Sequence, residues 1–327
     1  EIIGDTDYQA LLDDIDLLDV AGEQWSMDKV NKGELTPMFF GSAMTNFGVR
    51  GFLEEYLRLA PAPQPRMSSD GLISPDDEKF SGFIFKIQAN MNPAHHDRLS
   101  FIRICSGKFE RGMSVYHMQG GKAVKLSQPQ QFLAQDRQII DTAYPGDIVG
   151  LFDPGIFGIG DTLCMPSHKF KFADFPVFPP ERFARVSAKD TMKRKQFVKG
   201  IMQLTQEGAV QLFQQAGAGM ESYIVGTVGQ LQFDVLEYRL KSEYNTEIVM
   251  NMQPFEVARW LRFKDNRPVT PESLRGADRG MFVYDMKDRP VLLVNNEWAL
   301  GWIQDNNPDL EMFPVPPEKQ DAEDDMK

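Results

Sequence analysis

Tyr223-Ile224-Val225-Gly226-Thr227-Val228 is a short run rich in β-branched residues, and Leu231-Gln232-Phe233-Asp234-Val235-Leu236-Glu237-Tyr238-Arg239-Leu240 follows it after Gly229-Gln230. The first run reads as a strand. The second reads as an amphipathic helix reaching Tyr244, with its aromatics in the core. Outward from this pair, Val210–Phe213 reads as a strand and Met192–Glu207 as a helix with Phe197, Ile201 and Leu204 on one face. Phe183–Ala188 and Glu247–Met250 read as the outer strands. The order β-α-β-β-α-β is a split βαβ arrangement, the ferredoxin-like plait. Beyond it, Val257–Phe263, Met281–Tyr284, Val291–Val294, Glu297–Asp305 and Met312–Val315 read as mixed elements extending that layer.

Upstream the texture is different. Phe83–Gln88, Leu99–Cys105, Met113–Met118, Ala123–Ser127 and Ile148–Leu151 are strand candidates, punctuated by Ser106-Gly107, Gly120-Gly121 and Pro145-Gly146-Asp147. Closely spaced strands with few helical windows imply a small antiparallel barrel. Before it, Ala60-Pro61-Ala62-Pro63-Gln64-Pro65 cannot continue a helix and favours an extended linker. Residues 35–40 read as a buried strand between two helices. The first has Asp5 or Thr6 as its cap and a stripe of Tyr8, Leu11, Leu12, Ile15 and Leu18; the second carries Phe47, Val49, Phe52, Leu53, Tyr56 and Leu57. One strand cannot make a sheet, and the chain opens on Glu1, so this region is expected to be a piece of a longer protein.

Length and composition fit two or three globular domains: 327 residues, 42% hydrophobic and 25% charged. No apolar run reaches the length of a membrane helix, and no signal-peptide pattern opens the chain. Cys105 and Cys164 are the only cysteines, which excludes a disulfide scaffold and fits a reducing, cytoplasmic setting. The net charge of −12 argues against DNA as a partner, but the charge is uneven. Residues 181–200 hold seven bases (Arg182, Arg185, Lys189, Lys193, Arg194, Lys195, Lys199) against Glu181 and Asp190. This helix reads either as a solvated face or as a surface for phosphate contacts, with Lys193, Arg194, Lys195 and Lys199 around Phe197.

Catalytic and metal motifs are not found. Asn31-Lys32-Gly33-Glu34 has no preceding strand to set it against a base, and reads as a loop. No phosphate-cradling Gly-x-x-x-x-Gly-Lys-[Ser/Thr] occurs. Gly226-Thr227-Val228-Gly229 lacks the further glycine of a dinucleotide fingerprint and reads as a tight strand-to-helix turn. His95-His96-Asp97 reads as a polar hairpin loop, since adjacent side chains on a strand point to opposite faces. Four scattered histidines support no nucleophile–His–acid arrangement.

Several stretches resemble known families. Gly41-Ser42-Ala43, Asn46-Phe47-Gly48-Val49 and the proline-rich exit resemble the last guanine-nucleotide motif of translational GTPases. Phe83–Ile87, Arg103-Ile104-Cys105-Ser106-Gly107, Ala143-Tyr144-Pro145-Gly146-Asp147-Ile148 and Gly160-Asp161-Thr162-Leu163 resemble, in order and spacing, the second domain of elongation factor G and its relatives. Lys86–Pro93 with His96-Asp97-Arg98, then Gln206-Glu207-Gly208-Ala209-Val210-Gln211-Leu212-Phe213, and Val225-Gly226 running on to Asn245 resemble the bacterial peptide chain release factor 3 family.

That resemblance implies a ribosome-dependent GTPase of translation termination that ejects class I release factors, cytoplasmic, using GTP/GDP and Mg²⁺ in the full-length protein. It implies a remnant of a GTPase domain over residues 1–65, a linker over 66–79, a translation-factor β-barrel over 80–168, the plait and its extension over 169–317, and an acidic tail over 318–327. Ser42 and Ala43 would be a remnant guanine contact. Lys193, Arg194, Lys195 and Lys199 would meet ribosomal RNA, with the barrel facing the small subunit's RNA and proteins. The phosphate loop, both switches and Asn-Lys-x-Asp have no counterpart in this sequence, so the chain alone is expected neither to bind nor to hydrolyse GTP. The alternatives are an elongation factor G-like or ribosome-protection paralogue, and a stand-alone ribosome- or RNA-binding module.

Overall fold

A computed structural model describes residues 4–89, 98–126, 129–133, 136–173, 175, 177–215 and 222–317. It divides the chain into two compact units, residues 1–64 and 65–327. The expected loop at His95-His96-Asp97, the motif residues 90–97 and the acidic tail lie outside the described residues.

The first unit has three helices among its described residues: α1 (Asp5–Ala21), α2 (Met27–Lys32) and α3 (Val49–Leu59). Gly4, not Asp5 or Thr6, is the N-cap of α1, and no side chain caps it. The stripe of Tyr8, Leu11, Leu12, Ile15 and Leu18 is exposed along its whole length. Ser26 caps α2 by accepting the Lys29 N–H at 3.4 Å, and Gly33 ends it in the left-handed region at φ +73°. Asn31 and Lys32 therefore close a short helix rather than lie in a loop. The strand expected over 35–40 does not form: only an isolated bridge between Ser42 and Phe47 is present among the described residues here. A strand's amide groups need a neighbouring strand, and the apolar run instead packs through Phe39, edge-on to Phe52 of α3 at 5.4 Å.

In the second unit, residues 66–79, expected as a linker, carry a hairpin of β1 (Arg66–Ser68) and β2 (Gly71–Ile73). The Ser69 N–H donates to the Lys171 carbonyl at 2.8 Å, and the Arg66 guanidinium lies 4.0 Å from the Phe83 ring centroid. The antiparallel region comprises β3 (Ser81–Ala89), β4 (Arg98–Ser106), β5 (Phe109–Glu110), β6 (Ser114–His117), β7 (Lys122–Lys125), β8 (Gln130–Leu133), β9 (Asp136–Ile139), β10 (Thr142–Ala143), β11 (Ile148–Phe152) and β12 (Thr162–Cys164). Eight of these, in the order β7-β6-β12-β3-β4-β11-β8-β9, make one sheet, and β5 pairs with β10 separately. Ile84, Ile102, Phe109, Val115, Ala143, Val149 and Leu163 form one core cluster. Strands from both flanks of the sheet thus share a single interior, and the sheet is rolled around it.

The expected β-α-β-β-α-β order follows: β13 (Arg182–Ala188), α4 (Arg194–Gln206), β14 (Gln211–Gln215), β15 (Ser222–Thr227), α5 (Leu231–Tyr244) and β16 (Ile248–Gln253). Strand order is β16-β13-β15-β14, all antiparallel. Ala184, Val186, Tyr223 and Val225 meet Phe197, Ile201 and Leu204 of α4 and Phe233, Leu236 and Leu240 of α5 in one cluster. Tyr238, expected in the core with the other aromatics of this helix, is instead 72% exposed.

The sheet then continues from β14 through β18 (Met281–Asp285), β19 (Pro290–Val294), β17 (Val257–Phe263) and β20 (Leu310–Phe313). The alternate residues Phe183, Phe213 and Ile224 pack against Ala258, Trp260, Val283, Val291 and Leu293 of this continuation. Its outer face carries Leu261, Phe263 and Leu292 against α6 (Glu297–Asn306).

Candidate functional site

At the glycine-rich loop, Ser42 and Ala43 begin a turn closed on itself. The Ser42 N–H donates to the Phe47 carbonyl at 2.9 Å, and Gly48 returns at φ +71° so close that a Cβ there would stand 2.5 Å from the Phe40 oxygen. The Ser42 amide is therefore spent within the loop. No phosphate-cradling sequence accompanies Ser42 and Ala43 in this chain.

The basic segment starts at Asp190, whose carboxylate accepts the Met192 N–H at 2.9 Å and opens a 3-10 turn, Thr191–Lys193, into α4. The structure sorts its cations. Lys193 donates to the Asn245 carbonyl at 2.7 Å, where Asn245 (φ 50°) ends α5. It neutralises the carbonyl end of that helix. Lys189 and Lys241 hold Glu247, and their hydrogen bonds keep its carboxyl below the usual range. Arg194 is exposed at the first turn of α4 and is engaged in an interaction of its own; its charge opposes the upward push of burial on the Tyr223 phenol. Lys195 and Lys199 are exposed and form no ion pair among the described residues. Spaced i,i+4, they share one helix face, opposite the buried Phe197, Ile201 and Leu204.

A second polar assembly joins the rolled sheet to the βαββαβ layer. Glu207, just past α4, accepts the Ala89 N–H of β3 at 2.9 Å with one oxygen and the Arg239 guanidinium of α5 at 2.7 Å with the other. Burial works against the Arg239 charge, but the hydrogen bonds it donates to the Glu243 and Glu207 carboxylates more than offset it and hold its pKa above the ordinary value. Beside it, Arg98 of β4 reaches Asp153 at 2.8 Å, the Phe157 carbonyl at 2.8 Å and Gln206. Asp153, fully buried, also accepts the Ser100 hydroxyl at 2.7 Å and the N–H groups of Gly155 and Ile156 at 2.8 Å each. In the sequence, Gln206-Glu207-Gly208 and Arg98 stand out only as family marks. Their partners lie 118 and 55 residues away, so no local pattern could reveal the contacts.

Gly226-Thr227-Val228-Gly229 is the expected strand-to-helix turn. Gln232 clamps it, accepting the Val228 N–H at 2.8 Å and the Gly229 N–H at 3.2 Å. Among the described residues there is no cluster of three or more His, Cys, Asp and Glu side chains suited to a metal ion, and no helix is long and apolar enough to cross a membrane.

With this geometry in view, comparison with known proteins is specific. Residues 79–166 match elongation factor G domain 2, and residues 172–304 match the family described as class II release factor RF3, C-terminal domain. A peptide chain release factor 3 from Symbiobacterium thermophilum is 51% identical over 309 residues, covering 94% of this chain and 58% of that protein. One from Listeria welshimeri is 51% identical over 305 residues, covering 93% and 57%. One from Ligilactobacillus salivarius is 48% identical over 309 residues, covering 93% and 57%. The chain thus spans a little over half the length of the curated relatives it matches, and it belongs to the peptide chain release factor 3 family, of whose members it is a partial fragment.

Proposed function

We propose that this chain is the ribosome-docking part of a translation-termination GTPase that promotes dissociation of class I release factors in the cytoplasm. The observation that carries the reading is the 51% identity to peptide chain release factor 3 across both matched segments. In this reading the rolled sheet is the translation-factor β-barrel and the βαββαβ layer a ferredoxin-like plait. GTP or GDP with Mg²⁺ belongs to the full-length protein, where it would supply the hydrolysis that resets binding. This fragment neither binds nor hydrolyses GTP alone. Its own chemistry is cationic docking: Lys195 and Lys199 present two ammonium groups to phosphates of small-subunit RNA, Arg194 flanks them, and Lys193 fixes the end of α5 beside them. The clasp of Glu207, Arg239 and Arg98 keeps barrel and plait in one docking geometry.

The test is co-sedimentation with ribosomes across a salt series, comparing the chain with Lys195→Ala/Lys199→Ala. Each lost phosphate contact reduces the slope of log K against log salt by roughly 1, so the double variant should bind more weakly with a slope shallower by about 2. Identical affinity and slope for both proteins would remove these lysines from the interface. No binding by the parent chain at any salt would remove autonomous docking.

A further inference from the structure

The surface of α6 and the turn facing it are built in a way that packing does not require. Trp298 is 71% exposed. Met286 is the other large apolar side chain classed as exposed among the described residues from 257 to 317. Within this stretch Trp298 is therefore not part of a run of exposed large apolar side chains. One turn further along α6 is Gly301, where an added Cβ would meet nothing within 4 Å. A helix-interior glycine costs about 1 kcal/mol relative to alanine, and no neighbouring side chain here needs the space. Gly301 leaves bare backbone exposed one helical turn from Trp298, so that a flat group can approach the helix there.

Arginine completes the arrangement. The Arg279 guanidinium stands 3.8 Å from the Trp302 ring centroid and 5.9 Å from that of Trp298. Arg275 is exposed, and its backbone is pinned by the buried Asn307 side chain, which accepts the Arg275 N–H at 3.0 Å and donates to its carbonyl at 2.9 Å. Neither arginine is in an ion pair among the described residues, whereas Glu297 is held by Arg259 at 2.9 Å. Asp278 and Asp305 are exposed in the same two segments, so the local charge is close to balanced.

We infer that Trp298, Gly301 and Arg279 form a stacking site for an unpaired nucleobase. The base would lie on the Trp298 indole over Gly301, and Arg279 and Arg275 would offer N–H donors to its phosphate. Because Asp278 and Asp305 offset the arginines, stacking supplies most of the affinity and salt dependence is shallow. The site shares no residue with the docking surface proposed above, and isolated RNA tests it independently of the ribosome.

The experiment is an anisotropy titration of a labelled, single-stranded oligoribonucleotide with the whole chain and with W298A, W298F and G301L. Stacking on an aromatic side chain is worth ~1–3 kcal/mol per base, so W298A should weaken binding roughly 5- to 150-fold. W298F should keep most of the affinity. G301L, which gains helix propensity and so should fold at least as well, should bind more weakly because its side chain covers the backbone. Competition by a nucleoside monophosphate would support a site for single bases; oligomer binding without such competition would support a site for a strand. Equal affinity of W298A and the parent, or no RNA binding by the parent, overturns the inference. A change in Trp298 emission with RNA-free ribosomal proteins and none with RNA also overturns it, in favour of a protein contact.

Discussion

Replacing Glu207 with alanine should loosen the joint between the rolled sheet and the βαββαβ layer. Its side chain is only 6% exposed and serves two partners. The Ala89 N–H lies in a buried part of β3, and a buried donor left without an acceptor costs ~1–3 kcal/mol. Arg239 would lose one of two carboxylates. Removing the sole partner of a buried charge costs roughly 3–5 kcal/mol, and because Glu243 remains the share here is about 1–2 kcal/mol. The sum is roughly 2–5 kcal/mol, against under about 0.5 kcal/mol for an ordinary surface change. Glu207→Gln keeps a carbonyl oxygen for Ala89 but loses the charge and the acceptor that faces Arg239, so it should cost about half as much. Urea unfolding followed by far-UV dichroism and tryptophan emission gives the stabilities, and amide exchange at Ala89 gives the bond itself. Exchange should accelerate in E207A and stay unchanged in Glu243→Gln, which touches Arg239 but not Ala89. An E207A protein within about 0.5 kcal/mol of the parent, or unaltered Ala89 exchange, would refute the assignment of Glu207 as the joint.

Two further outcomes follow from particular residues. Burial pushes the Cys105 thiol up from 9.0 to about 11, more than Arg66 and Arg103 pull it down. The folded form therefore keeps a proton that the unfolded chain has lost: the contribution is fully present below pH 9.0 and disappears as pH rises towards about 11, and Cys105→Ser should flatten that part of a stability–pH curve. Gly276→Ala should destabilise by roughly 2–4 kcal/mol in urea titration, because φ is +85° there and the new Cβ would stand 2.4 Å from the Trp302 ring.

The βαββαβ order was legible because each of its elements has a clean period, 2 for Phe183–Ala188 and 3.6 for the faces carrying Phe197 and Leu236. Periodicity failed where the neighbour decides. Residues 35–40 look like a strand but have no partner strand, and residues 66–73 look like a linker but pair into a hairpin against residues 171–173. Tyr238 faces outward because Phe233, Leu236 and Leu240 already fill the buried stripe of α5. The charge cluster was visible in composition. That Lys193 is consumed by Asn245 while Lys195 and Lys199 are left outward depended on where α5 ends, which no count of charges contains.

The pairing of β18 with β14 bears on how this chain can be cut. A βαββαβ layer standing alone would leave β14 as a bare rim, with a row of amide groups open to any passing strand. Here that rim is sealed from within by a later stretch of the same chain, and the open rims become β16 and β20. A shortened version ending after residue 253 would unseal it and expose Phe213 and Ile224 as well, since their cover comes from Trp260, Val283 and Leu293. Such a product should self-associate through strand exchange rather than persist as a smaller soluble domain.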